Sequence, residues 1–259
     1  MFAGPEDDPA FPGDSWKSVA GMLLRVAAIA GCLGALVVML ALSFVSDVDD
    51  HMTVVKRATC VDNLRAISLA LMQYASAQGR LPPACTVDAK GRRLHSWRTL
   101  ILPYLPPREE MAELYASIDL SKPWDDPANR RAAASMPDAF RCPSAAGPKD
   151  LTTYLASAGP SAFLIPGKPR NLLEITDPRD ATLAVIEAGR EDAVPWMSPK
   201  DADEALILRL SPDSSLIHPG GMPAAMVDGS VRFLKATLPA AARRALISVD
   251  GDDSIIAPE

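Results

Sequence analysis

The sequence predicts an α+β protein, with helices first and antiparallel strands later, on a chain that carries one apolar helix near its start. Three observations predict it. Val26–Val45 runs for twenty residues without a charged side chain. Val54, Ala58, Val61, Leu64, Ile67, Leu71 and Tyr74 then recur at steps of three and four, one face of an amphipathic helix. Ala224–Lys235 places two short apolar runs on either side of Asp228-Gly229, a pair favoured in tight type I′ hairpin turns.

Taken in order, residues 1–18 are rich in Gly, Pro, Asp and Ser with little to bury, and are expected to form a disordered tail. The apolar run follows as a transmembrane helix over residues 19–46. Twenty residues at about 1.5 Å rise span roughly the 30 Å hydrocarbon core of a bilayer. A cleaved secretory signal fits less well. The apolar core is longer than a signal's, Glu6, Asp7, Asp8 and Asp14 make the preceding tail acidic, and Ser46-Asp47-Val48-Asp49-Asp50 is a poor cleavage site. Lys17 and Arg25 on one side balance Lys56 and Arg57 on the other, so flanking charge leaves the orientation open.

After an acidic break at Asp47–Asp50 the amphipathic helix is expected from about Thr53, with Gly79 and Pro82-Pro83 ending it. Its apolar stripe packs on the domain that follows. Leu94–Leu105 reads as a short helix closed by Pro103 and Pro106, and Glu109–Ser117 as one or two further turns. Pro123–Pro127 is a loop carrying Trp124. Thr182–Ala188 is β-like, and Leu206–Leu210 is a further expected strand. The soluble domain is therefore expected over residues 53–240, with residues 241–259 as a C-terminal tail.

The net charge of −6 excludes a nucleic-acid surface as the working part of the molecule. There is no G-x-S-x-G elbow, P-loop, G-x-G-x-x-G or H-E-x-x-H motif, so no enzyme activity is expected. Cys32 falls within the membrane segment as a small apolar residue. Cys60, Cys85 and Cys142 lack Cys-x-x-Cys spacing. In an oxidising compartment two of them can pair and leave one over; in a reducing one all three stay thiols. The three histidines are scattered. His51 lies beside Asp49 and Asp50, which reads as a solvated interfacial loop before it reads as a metal cluster. His95 reads as a polar residue bonded to backbone in a turn. His218-Pro219-Gly220-Gly221 stands nine residues ahead of Asp228-Gly229. Either His218 and Asp228 share a ligand or proton-transfer site, with acids such as Asp177 and Glu187 nearby, or His218 serves a turn that Gly220 and Gly221 permit while Asp228 and Gly229 serve the hairpin.

These blocks resemble a pilin-like family of unknown function abundant in planctomycete bacteria. Its C-terminal segment is described as a prepilin-type, processing-associated His-x9-Asp-Gly region. The matching blocks here are Cys60–Arg65, Leu81–Ala84, His95–Arg98 with Leu102–Leu105, Pro123–Asp125, Cys142–Ser144, Ile175–Asp177, Val194–Trp196 and His218–Phe233, in order over about residues 54–236. The resemblance implies a pseudopilin-like fold, a long N-terminal helix whose outer half lies on an antiparallel sheet. It implies a domain outside the cytoplasm, a cytoplasmic N-terminus, and partners among pilin-like or secretion-system proteins. It also implies a Cys60–Cys142 disulfide with Cys85 left free. No cofactor is implied, although small secreted pseudopilins often hold calcium. The cleavage glycine and register glutamate of prepilins are missing: Leu23-Leu24-Arg25-Val26 occupies that junction. That points to a permanently anchored protein of the bacterial inner membrane rather than a fibre subunit.

Overall fold

The computed structural model describes the backbone of residues 15–251 and the side chains of residues 21–40 and 52–251. The chain divides into two compact units, Met1–Thr53 and Val54–Glu259. The first consists, where described, of helix α1 (Ser15–Gln78), which also opens the second unit. Within the first unit, Gly21–Leu40 is long and apolar enough to cross a membrane. Its large apolar side chains, from Met22 to Leu40, are each more than half exposed. The expected acidic break is not seen. Helical hydrogen bonding passes through Asp47–Asp50, because an acidic residue costs a helix interior only a few tenths of a kcal/mol where no Gly or Pro interrupts it. The expected tail 1–18 lies outside the described residues up to 14, and Ser15–Ser18 already belong to α1.

In the second unit α1 buries Cys60, Leu64, Ile67, Leu71 and Ala75, again at steps of three and four. Val54 and Ala58 stay exposed, so the packed stripe starts later than the sequence pattern. Complete burial of Leu64, Ile67 and Leu71 contributes about 1.5–3 kcal/mol each. Gly79 ends the helix with φ of 72°, the left-handed C′ geometry that glycine adopts without steric cost.

A short antiparallel pair follows, β1 (Cys85–Val87) with β2 (Arg93–Ser96). Leu94–Leu105 is thus not one helix. Its start pairs with Cys85, and Ser96 then accepts a hydrogen bond from Arg98 N to cap α2 (Trp97–Leu100). The expected turns over Glu109–Ser117 are α3 (Arg108–Ala116), and α4 (Arg130–Ala133) follows the Trp124 loop.

The main sheet is antiparallel in the order β4 (Tyr154–Ala156), β5 (Leu183–Glu187), β7 (Gly221–Met226) and β8 (Val231–Lys235). A smaller pair joins β3 (Leu151–Thr152) to β6 (Val194–Pro195). The sheet is covered on both faces. Tyr154, Ala156, Val185 and Ala225 share a core with the α1 stripe. Leu155, Ile186, Ala224 and Met226 share a second core with α5 (Glu204–Arg209) and α6 (Ala240–Ile247).

Three expectations are corrected here. Leu206–Arg209 is helical: Asp203 accepts a hydrogen bond from Leu206 N as N-cap of α5, and Ile207, with Leu210 just past the helix end, faces the core. The segment expected as a tail from residue 241 is α6 followed by Val249, which is fully buried and bonded through its backbone to Ser161, Thr176 and Asp177; residues beyond 251 are outside the described residues. The β7–β8 turn is a three-residue loop, not a type I′ turn. Gly229 N bonds Met226 O and Met226 N bonds Ser230 O, with Gly229 at φ 86°. This is a type I turn closed by a left-handed glycine, and Asp228 Oδ1 secures it by accepting from Ser230 N.

Candidate functional site

Four chemically active side chains from distant parts of the chain meet between α1 and the main sheet. Cys60 lies on the buried stripe of α1. Cys142 follows the turn Asp138–Phe140, whose Phe140 stacks on Trp196 with centroids 5.9 Å apart. Glu187 is the last residue of β5, on the same strand face as Val185 and therefore turned toward α1. His218 precedes β7. Its carbonyl receives Gly221 N, across a turn in which Gly220 has φ of 82°. Gly221 is required by close approach, since a Cβ there would lie 2.3 Å from Leu234 O of β8.

The ligating atoms of the four residues all lie within 4.8 Å of one another, and every one of the residues is buried. His218 Nε2 is 3.1 Å from Glu187 Oε2 and 3.7 Å from Cys142 Sγ. Although close, Glu187 has no aligned hydrogen bond on either carboxylate oxygen. Ser144 N donates to Cys142 Sγ at 3.4 Å. Tyr154 stands directly opposite Glu187 across the β4–β5 pair, with its buried hydroxyl unpartnered.

Electrostatics follow from this crowding. The Cys60 thiol beside it, and then burial, push the Cys142 thiol well above its ordinary value. Burial disfavours the charged His218 imidazole, but Cys142 and the Glu187 carboxylate more than offset this and raise it to about 9. Burial and the neighbouring Glu187 raise the Tyr154 phenol.

Of the residues singled out in the sequence, His218 enters this cluster with Gly220 and Gly221 shaping its turn. Asp228 does not join it; it is exposed at the hairpin tip with Gly229. Asp177 instead accepts from Gly251 N. Cys60 and Cys142 lie in one cluster, but as free thiols rather than the disulfide that the resemblance implied, and Cys85 is free as well. A donor set of two sulfurs, a nitrogen and one carboxylate suits a borderline or soft cation better than calcium, which takes oxygen. His95 is fully buried with Nε2 2.7 Å from Lys122 O and Nδ1 unpartnered. The His51 side chain lies outside the described residues.

A second buried polar centre escaped the sequence reading. Arg98 is fully buried and spends its five N–H groups on Trp196 O, Tyr154 O, Asp201 Oδ1, Ser198 O and Lys200 O. Asp201 Oδ1 also accepts from Trp97 Nε1 and Ala156 N. Burial raises the Asp201 carboxyl, with Arg98 opposing that rise. This centre ties α2 to β4 and to the segment after β6. The one signal for it in the sequence is a lone arginine among the apolar residues of Leu94–Leu105.

No curated protein and no solved structure matches the chain. Residues 56–180 match a family model described as a protein of unknown function (DUF1559), a stretch that includes Cys60, Arg98 and Cys142 and ends before Glu187 and His218.

Proposed function

We propose that this chain is a single-pass, membrane-anchored protein that displays a pilin-like, non-catalytic α+β domain outside the cytoplasm of a bacterial cell, as a structural or interaction module. The observation that carries the reading is α1 itself. Its Gly21–Leu40 stretch leaves a full bilayer's length of apolar side chains uncovered, while its Cys60–Ala75 stretch is the central helix of a folded domain. A helix laid on a four-stranded antiparallel sheet agrees with the pseudopilin-like arrangement that the resemblance implies. The four polar side chains of the candidate site are too buried to meet a substrate, which favours a structural role for them.

Membrane fractionation with an alkaline carbonate wash, combined with protease digestion of intact spheroplasts, tests this. The full chain is expected in the washed membranes, with residues from about 54 onward digested from outside. Recovery in the soluble fraction, or protection of the domain until the membrane is broken, would refute it. A mature chain beginning near Val26 would identify a processed pseudopilin instead. Crosslinking in cells is expected to recover other membrane or envelope proteins rather than small-molecule ligands.

A further inference from the structure

The site between α1 and the sheet has the composition and spacing of a closed metal centre. Bonds of about 2.0 Å to nitrogen or oxygen and about 2.3 Å to sulfur set tetrahedral ligand separations of roughly 3.3–3.8 Å. Of the observed His218 Nε2 contacts, 3.7 Å to Cys142 falls in that range and 3.1 Å to Glu187 lies just below it. All four ligating atoms fall within 4.8 Å. Close packing alone does not account for the arrangement. Glu187 is 1% exposed and neither of its oxygens has an aligned hydrogen bond, so His218, 3.1 Å from Oε2, faces this buried carboxylate without hydrogen-bonding it. Ser144 N, on Cys142 Sγ, supplies an outer hydrogen bond of the kind that steadies charged ligands.

We propose that Cys60, Cys142, Glu187 and His218 bind one zinc ion as a four-coordinate structural site that fastens α1 to the sheet. Two thiolates and an imidazole select a borderline divalent ion over calcium or magnesium, and four protein ligands leave no open position for a substrate. The ion joins residues from α1, the loop after α4, the end of β5 and the start of β7. It thereby closes contacts that are remote in sequence, as structural zinc does in small domains. The inference does not depend on which side of the membrane the domain occupies.

The test uses the full chain in detergent, stripped with a chelator, kept reduced by a phosphine, and then supplied with zinc chloride alone. After desalting, about one zinc per chain is expected for the wild type and for Cys85→Ala, whose cysteine lies outside the cluster. Cys142→Ser and Glu187→Gln are expected to lose stoichiometric zinc. Cobalt substitution should give tetrahedral d–d bands with a thiolate charge-transfer band, both absent from Cys142→Ser. If those variants fail to fold, the wild type alone decides, because zinc should raise its Tm and a chelator should reverse the rise. Absence of bound zinc in reduced, folded wild type, or an unmoved Tm, overturns the proposal. So does a Cys60–Cys142 disulfide that forms in air in preference to zinc binding when equimolar zinc is present.

Discussion

Arg98→Ala is expected to be among the most destabilising single substitutions in the soluble domain. In the native chain the guanidinium satisfies four backbone carbonyls and Asp201 Oδ1, and its side chain is completely buried beside a carboxylate that is 4% exposed. Removing it strands Asp201 as an uncompensated buried charge. Breaking such a pair costs about 3–5 kcal/mol, a large part of the roughly 5–15 kcal/mol that holds a domain of this kind together. The effect should depend on pH. Burial already holds the Asp201 carboxyl above its ordinary value against the pull of Arg98, so losing Arg98 raises it further. A folded carboxyl with a raised pKa binds more protons than the unfolded one. Its destabilisation therefore grows as pH rises through the window between the unfolded and folded values. The deficit of Arg98→Ala should accordingly be smaller at pH 5 than at pH 7. Urea unfolding of the full chain in detergent, followed by tryptophan fluorescence, reads this directly, because Trp97 and Trp196 both border the centre. Arg98→Lys should recover only part of the loss, since an ammonium has three donors and no planar fork. A cost below about 1 kcal/mol for Arg98→Ala, or a lysine variant equal to wild type, would refute the reasoning.

Gly221→Ala should cost about 1–3 kcal/mol, because its Cβ meets the Leu234 carbonyl at 2.3 Å and backbone has to move. Asp228→Ala, which removes only the turn bond to Ser230 N, should cost about 1 kcal/mol in the same unfolding measurement and leave zinc content unchanged. His95 should make the domain acid-sensitive. Burial holds its folded pKa below the ordinary value, against the backbone carbonyls of Lys122 and Asp119, which favour the proton. Stability is then complete above about pH 6.5 and falls as pH drops below it, until the folded pKa is reached; His95→Gln should flatten that slope in Tm-against-pH curves. Leu36→Arg, at the middle of the apolar segment, adds about 2.5–3.5 kcal/mol to the insertion free energy and should shift the chain out of the washed membrane fraction.

Periodicity and composition made the local features legible. Twenty uncharged residues form a helix long and apolar enough to cross a membrane, a three-and-four stripe marks a helix with one covered face, and Asp-Gly between apolar runs marks a hairpin. Where local signals compete, the sequence misleads. An acidic run does not break a helix that contains no Gly or Pro there, and EALILR becomes helix rather than strand because Asp203 caps it. The turn at Asp228-Gly229 gained a third residue because register, set by Ala225 facing Val231, left Val227 in the loop.

The site is different in kind. The sequence by itself placed Leu64, Ile67 and Leu71 on the covered face of a helix, Glu187 in an apolar strand and His218 in a glycine-rich turn, whereas the burial of Cys60 on that face came from the structure. Nothing local relates residues 60, 142, 187 and 218, and the His-x9-Asp-Gly spacing left open whether His218 and Asp228 share a site or serve separate turns. Only the tertiary structure decided the grouping. Strand pleat turns Glu187 toward α1, the Gly220-Gly221 turn folds His218 back over β5, and the hairpin that carries Asp228 holds it out in water, where an ordinary carboxylate is most stable.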